Sequence, residues 1–166
     1  PQLPAEENGA LMYAKDAFVR ESHRHFSHAL AIYPLRQISG KTPQEKACID
    51  STIAQLESLG TSQWVGFSFV WFALLKIVQR DAEVQALRQF YHAFLSPNGF
   101  HLNGDFRKTG LSEFQYRPFT LEANCLSVQA VNEMLLYSQN GEIEIFPVIP
   151  ADWRTCAFRG LRVENG

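Results

Sequence analysis

Apolar residues recur along this chain in three rhythms, and each predicts a different element. The first is one-sided. Ile49, Ile53 and Leu56 mark a single face after Thr42-Pro43-Gln44-Glu45, a helix start that joins a capping box to a proline at the first helical position. Gly60 ends that helix. Asp81 caps another helix of the same kind, with Val84, Leu87, Tyr91 and Phe94 as its stripe. The second rhythm leaves almost no polar face. Phe67, Phe69, Val70, Trp71, Phe72, Leu74, Leu75, Ile77 and Val78 crowd the stretch from Trp64 to Val78. A helix apolar all round is buried on every side, and this one is too short to span a bilayer. It reads as an inner helix, and the one after Asp81 as an outer helix exposed on one face. The third rhythm begins at the Asn140-Gly141 turn, where Glu142-Ile143-Glu144-Ile145 alternates like a half-buried strand. Pro147 and Pro150 close it, and Ala157 to Val163 is a candidate second strand.

A buried helix joined by a few residues to an amphipathic one is a helical hairpin. Phe26–Leu59 and Trp64–Leu95 each read this way, with a first helix from Phe26 to Tyr33 stopped by Pro34. Gly9 to Arg20 is loosely helical. Such hairpins stacked in a ring give a toroid of inner and outer helices, so the predicted class is mainly α. Leu95 to Pro118 is a long loop with Pro97-Asn98-Gly99 and Asn103-Gly104 turns, and loops of that length are usually functional. A last helix runs from about Thr120 to Tyr137, with Leu121, Val128, Val131, Leu135 and Leu136 on its predicted apolar side. Two strands make no stable sheet alone. The tail is therefore the opening of a β domain that continues past Gly166, or an edge packed on the helices.

Composition narrows the classes. The chain has 166 residues, 46% of them hydrophobic, enough for a real core and too apolar for disorder. A net charge of -2 gives no electrostatic footprint for nucleic acid or an anionic membrane. Cys48, Cys125 and Cys156 are odd in number and far apart, which argues against a disulfide framework. No signal peptide and no membrane span is visible. The chain starts at Pro1 without Met, and Pro1 to Asn8 reads as a cut edge of a longer protein.

Candidate chemistry gathers in three places. Tyr116-Arg117-Pro118 is an extended approach to the last helix, and Glu122 and Asn124 fall in that helix's first turn. A carboxylate is favoured there by the helix dipole. With Arg117 nearby the arrangement suits the edge of a reaction site, but the residues taken alone favour the plainer reading of Glu122 as a first-turn helix charge. His23, His25 and His28 form the densest polar cluster. Their H-x-H-x-x-H spacing is not a strong zinc pattern, and hydrogen bonding to hydroxyls or within a buried network suits them better than a metal. Trp64 stands near the start of the inner helix, where it reaches a pocket, and Trp71 belongs in the core. Asn103 and Asp105 in the long loop either bind a polyol or close turns. No phosphate loop, G-x-S-x-G or Cys-His nucleophile is present.

Three motifs in register resemble one family. His23-Arg24-His25-Phe26-Ser27-His28 with Ile32-Tyr33-Pro34, then Pro118-Phe119-Thr120-Leu121-Glu122-Ala123-Asn124, then Glu133-Met134-Leu135-Leu136 with Asn140-Gly141-Glu142-Ile143, Pro147-Val148-Ile149-Pro150, Trp153 and Gly160-Leu161-Arg162 are similar to stretches of glycoside hydrolase family 95, the inverting α-L-fucosidases. The resemblance runs from about Gly9 to Arg162. It implies an (α/α)6 barrel followed by a β domain, with residues 1–139 as the last hairpins of the barrel and 140–166 as the start of the β domain. It implies a parent glycoside hydrolase, periplasmic or extracellular, that needs no cofactor and no metal. Its partners are an oligosaccharide or polysaccharide and the remainder of the barrel.

By position, Glu122 stands where the family has its catalytic Asp, the general base. His23, His25 and His28 stand in its sugar-pocket segment, and Asn124 follows the base as in the family. Trp64, Tyr116 and Arg117 complete the candidate substrate-binding set. Three departures bear on the sugar: Glu replaces Asp at the base, Tyr116 replaces a common His, and Leu11-Met12-Tyr13-Ala14 replaces a Leu-Gln-Glu-Trp element. They leave the substrate open between an α-L-fucoside and a related glycoside. Inversion needs two carboxyl groups roughly 6.5–9.5 Å apart. This chain offers one, and the general acid is expected upstream of Pro1. The rival readings are a non-catalytic carbohydrate-binding or scaffold piece and a metal protein built on the His cluster.

Overall fold

The computed structural model describes residues 3–163; Pro1, with the reading of the chain start that rests on it, lies outside them. The fold is mainly helical and closes on a two-stranded sheet, as expected for hairpins of a helical toroid followed by the start of a β unit. A 3-10 helix, Ser27–Ala31, precedes four α-helices and two strands: α1 Pro43–Leu59, α2 Gly66–Gln79, α3 Gln85–Ala93, α4 Glu122–Leu135, β1 Leu136–Gln139 and β2 Glu142–Ile145.

The helix starts show the local chemistry. Thr42 caps α1 by accepting from the Glu45 N–H at 3.1 Å. Glu45 does not return the bond to Thr42. Its carboxylate instead gathers Ser39 N–H, Ser39 Oγ and Lys41 N–H, so the box closes on the preceding turn, and those bonds, the Ser39 hydroxyl first, hold the Glu45 carboxyl below its usual range against the opposing effect of burial. α2 is buried along nearly its whole length, and it packs against α1, α3 and α4. α3 buries Ala86, Leu87, Phe90 and Ala93 and exposes Tyr91. The expected contrast of inner and outer helix therefore holds.

Direction along the helices matters for the site. Asp50 of α1 meets Gln79 and Glu57 meets Lys76, so α1 runs antiparallel to α2. Phe94, just past α3, stacks on Phe69 near the start of α2, so α3 is antiparallel too. α4 runs parallel to α2. Its beginning meets the start of α2 through His101, and Tyr137 just past its end meets Arg80, the C-cap of α2.

Several expected elements differ. Gly9–Arg20 is not helical; it is a chain of turns with isolated bridges Ala5↔Leu11 and Ala14↔Ala17. Its apolar residues never form a helical face, and the Ala10 and Leu11 amides are taken by Asn8 Oδ1 and Thr52 Oγ1. The Phe26–Tyr33 helix shrinks to one 3-10 segment with Phe26 as its N-cap. Asp81 caps a turn, accepting from Glu83 N–H, and α3 starts only at Gln85.

The largest correction is the face of α4. Leu121 and Val128, expected inward, are 55% and 60% exposed, while Ala123, Ser127, Ala130, Glu133 and Met134 face in. α2 presents bulky side chains all round, so the close approach is made by the small residues of α4. The last helix also stops at Leu135 and Tyr137 lies in β1, which pairs antiparallel with β2 through the Asn140-Gly141 turn. Ala157–Val163 forms no strand among the described residues.

Candidate active site

The loops converge where α2 and α4 begin. The Gly66 N–H donates to Asn103 O at 3.1 Å, and the Asn103 N–H to Pro118 O at 3.1 Å. Leu102 pairs with Phe119 as an isolated bridge. On the other side Ser68 Oγ donates to Arg24 O at 2.7 Å and accepts from Val65 N–H at 3.1 Å. The His23–His25 loop, the long loop and the start of α4 are thus all tied to the first turn of α2. Both helices point their positive ends at this mouth, a setting that favours anionic groups.

The long loop is held from within by Asp105. It is 0% exposed, and its carboxylate accepts from Thr109 N–H, Thr109 Oγ, Gly110 N–H and Leu111 N–H, all between 3.0 and 3.2 Å. Of the two roles open to it in the sequence, Asp105 closes turns. Asn103 lies at the mouth, its Nδ2 3.4 Å from Tyr116 Oη and its buried Oδ1 without a partner among the described residues.

Glu122 is the first residue of α4 and is exposed. No side chain among the described residues caps the helix at Leu121, which leaves the turn that Glu122 opens uncapped. Its neighbour is His101, buried beneath the mouth. Burial holds the His101 imidazole below its ordinary range, against the opposing pull of the Glu122 carboxylate. Asn124 secures this arrangement: Oδ1 accepts from His101 N–H at 2.8 Å and Nδ2 donates to Gly99 O at 2.8 Å. Its amide is therefore engaged on both sides by the backbone, as a clamp on the loop beside Glu122.

The remaining expected residues separate. His23 and His25 are exposed, their rings 5.7 Å apart edge to face, with His23 Nδ1 bonded to the His25 backbone. His25 is lowered by partial burial, then by Arg24 and His23. Tyr116 is 41% exposed and stacks on Phe114 at 5.5 Å, and Arg117 lies over the Phe106 ring at 5.7 Å. Both border the mouth.

His28 does not share their setting. It is 6% exposed among Leu11, Tyr13, Leu30 and Leu35, with neither ring nitrogen hydrogen-bonded among the described residues, and burial pushes its pKa down to about 4. Trp64 is 2% exposed and ringed by Phe26, Phe69 and Phe72 at 5.0–5.1 Å, and the cavity it borders is one shared with Thr61, Phe72, Lys76 and Val84. Among the described residues no group of three His, Cys, Asp or Glu side chains is arranged for a metal.

Sequence reasoning missed His101. It belongs to no motif, and its one signal is position: a His inside a long loop, two residues before Asn103-Gly104. It also missed the buried pair of Arg36 and Glu133 at the opposite end of α4.

The family model of the glycosyl hydrolase family 95 catalytic domain matches residues 5–135. Alpha-L-fucosidase 2 of Arabidopsis thaliana is 29% identical over 170 residues, a match that covers 92% of this chain and 19% of that protein. The chain thus spans about a fifth of the curated relative.

Proposed function

The chain belongs to glycosyl hydrolase family 95, and on that premise we propose that it is a segment of a glycoside hydrolase, with Glu122 as the general base of an inverting reaction. The substrate proposed is an α-L-fucoside or a closely related glycoside within an oligosaccharide or polysaccharide. The observation that carries the reading is the placement of Glu122: an exposed carboxylate at the open start of α4, on the mouth that also gathers Tyr116, Arg117 and the His23–His25 loop.

The chemistry follows from that placement. Glu122 takes a proton from a water, which attacks the anomeric carbon from the face opposite the leaving group. The glycosidic oxygen leaves with a proton from a second carboxyl group, supplied by the remainder of the catalytic barrel. Tyr116, His23 and His25 present hydroxyl and imidazole groups to the sugar, and Arg117 borders them.

Glu122→Gln in the full-length enzyme is the test. The amide keeps the shape and the hydrogen bonding but accepts no proton. Turnover should fall by about 10²–10⁴-fold, the usual contribution of general acid-base assistance, with substrate affinity and melting temperature little changed. Turnover within about threefold of the unaltered enzyme, far below that range, removes Glu122 from the mechanism.

A further inference from the structure

The mouth is assembled around His101, which is 0% exposed. Its backbone N–H is held by Asn124 Oδ1 at 2.8 Å, and its carbonyl accepts the Thr120 N–H at 3.3 Å. Its Nδ1 lies 2.6 Å from Thr120 Oγ1. Its Nε2 is buried without a hydrogen-bond partner among the described residues, pressed on Gly66, the first residue of α2. A Cβ at position 66 would overlap Nε2, so glycine there is what admits the imidazole.

These surroundings select a tautomer. A buried N–H without an acceptor is a rarer and costlier defect than a buried lone pair. The start of α2 adds its positive end, which disfavours an N–H and favours a lone pair. The proton therefore sits on Nδ1 and donates to Thr120 Oγ1. A hydroxyl that accepts from His101 keeps its own hydrogen for another partner. Thr120 stands two residues before Glu122 and Asn124 two after it, and both hydrogen-bond the His101 backbone, so Glu122 is held beside the imidazole from either side.

We propose that His101 and Thr120 are a positioning pair for Glu122, in which the neutral imidazole turns the Thr120 hydroxyl to donate to the Glu122 carboxylate or to the water it activates. The proposal rests on the reading of Glu122 as the base. The pair moves no proton of the reaction. It fixes the direction in which the carboxylate or its water is held, and misorientation at a reacting centre is paid in rate rather than in affinity.

The test compares Thr120→Val, Thr120→Ser and Glu122→Gln in the full-length enzyme. The probe is whichever aryl α-L-fucoside, α-L-galactoside or L-arabinoside the unaltered enzyme turns over. Valine keeps the shape of threonine and removes the hydroxyl. Thr120→Val should lower kcat roughly tenfold, the rate equivalent of one hydrogen bond, with KM within about twofold. Thr120→Ser should restore most of the rate. His101→Asn, whose amide can replace the Nδ1 donor, should fall between the two. If Glu122→Gln loses about a hundredfold or more while Thr120→Val keeps kcat within about twofold, the positioning role is overturned and the base stands. Equal losses for Val and Ser also overturn it, because they assign the effect to packing. If Glu122→Gln is nearly silent, or no probe is turned over, both readings fall together.

Discussion

The two ends of the α2–α4 pair are built from the same kinds of residue and finished in opposite ways. At the beginning of both helices polar groups are left open: Glu122 is exposed, α4 has no side-chain cap, and the Oδ1 of Asn103 and Nε2 of His101 have no partner among the described residues. At the far end the charged groups are paired with one another, although Glu133 Oε2 is buried without a hydrogen-bond partner among the described residues. Glu133 is 3% exposed and bonded to Arg36, with Gln129 Nε2 donating to the same carboxylate oxygen at 2.7 Å. Arg36 and Arg80 lie over the Tyr137 ring at 4.9 and 4.4 Å, and Arg80 pairs with Glu144 of β2. Two glutamates eleven residues apart on one helix, about 16 Å by its rise, thus occupy contrasting environments. The lesson is that residue type and helical position do not assign a role. The partners and the burial that neighbouring elements supply do.

The comparison breaks most sharply on that pair of glutamates. Glu122→Gln is expected to remove about 10²–10⁴-fold of turnover and leave stability nearly untouched. Glu133→Gln should do the reverse. Removing one partner of a buried ion pair costs about 3–5 kcal/mol, and Arg36 retains 19% side-chain exposure, which points to the lower end, about 3 kcal/mol. Urea unfolding of the full-length enzyme should show the loss, while the folded fraction keeps its kcat. A Glu133→Gln enzyme with normal stability and depressed kcat would erase the distinction between the ends.

How far this was legible in the sequence follows the same division. α1, α2 and the β2 strand announce themselves because cap, proline, all-round apolarity and strict alternation are local signals, but β2 is not the half-buried strand that alternation predicts: Ile143 and Ile145 are 54% and 65% exposed, since no element packs on that face among the described residues. The motif carrying Glu122 is also local, and it stands at a helix start as expected. The buried face of α4 was misread, since Leu121 and Val128 are the larger apolar side chains. What decides the face is the bulk of α2, which admits Ala123, Ala130 and Ser127 and turns the larger residues out. His101 was invisible for a similar reason. Its role is made by Gly66, Thr120 and Asn124, brought to it from three segments. Trp64 and His28 were assigned by residue type, and burial among Phe26, Phe69 and Phe72 for the one and Leu11 and Tyr13 for the other decides their surroundings.

The stretch from Arg24 to Arg36 joins the two ends, tied to Ser68 at one and to Glu133 at the other, and pH should act on its middle. His28 has a folded pKa of about 4, lowered by burial, against about 6.5 in an unfolded chain. Between those values the unfolded state binds the proton and the folded state does not, so stability falls as pH drops through this window and is fully present above it. The whole window is worth about 3 kcal/mol. His28→Leu suits the apolar surroundings and removes the titration. Unfolding measured at several pH values between 7 and 4 should show a shallower acid loss for the variant than for the unaltered protein. Parallel acid limbs would mean that His28 is hydrated or paired in solution, and the segment would then carry no such dependence.

The smallest effect tests whether the closed end is held by its rim or by its interior. Arg80 caps α2 in a left-handed conformation, with its guanidinium on Ile77 O and Val78 O as well as on Glu144. Glu144 is 45% exposed and Arg80 32% in their side chains. Solvent at that exposure screens the pair, and surface pairs typically contribute only about 0.2–1 kcal/mol. Glu144→Ala should therefore cost less than about 1 kcal/mol. Arg80→Ala should cost more, because it also strips two carbonyls at the end of α2 of a donor and uncovers the Tyr137 ring. A double-mutant cycle separates these contributions. A coupling energy below about 1 kcal/mol means that β2 is only lightly tied to the helices through this pair, and that closure of this end depends on Glu133 and Arg36 inside. A coupling as large as the loss from Glu133→Gln would move the anchor to the rim and make the β hairpin, rather than the helix interior, what fastens the closed end.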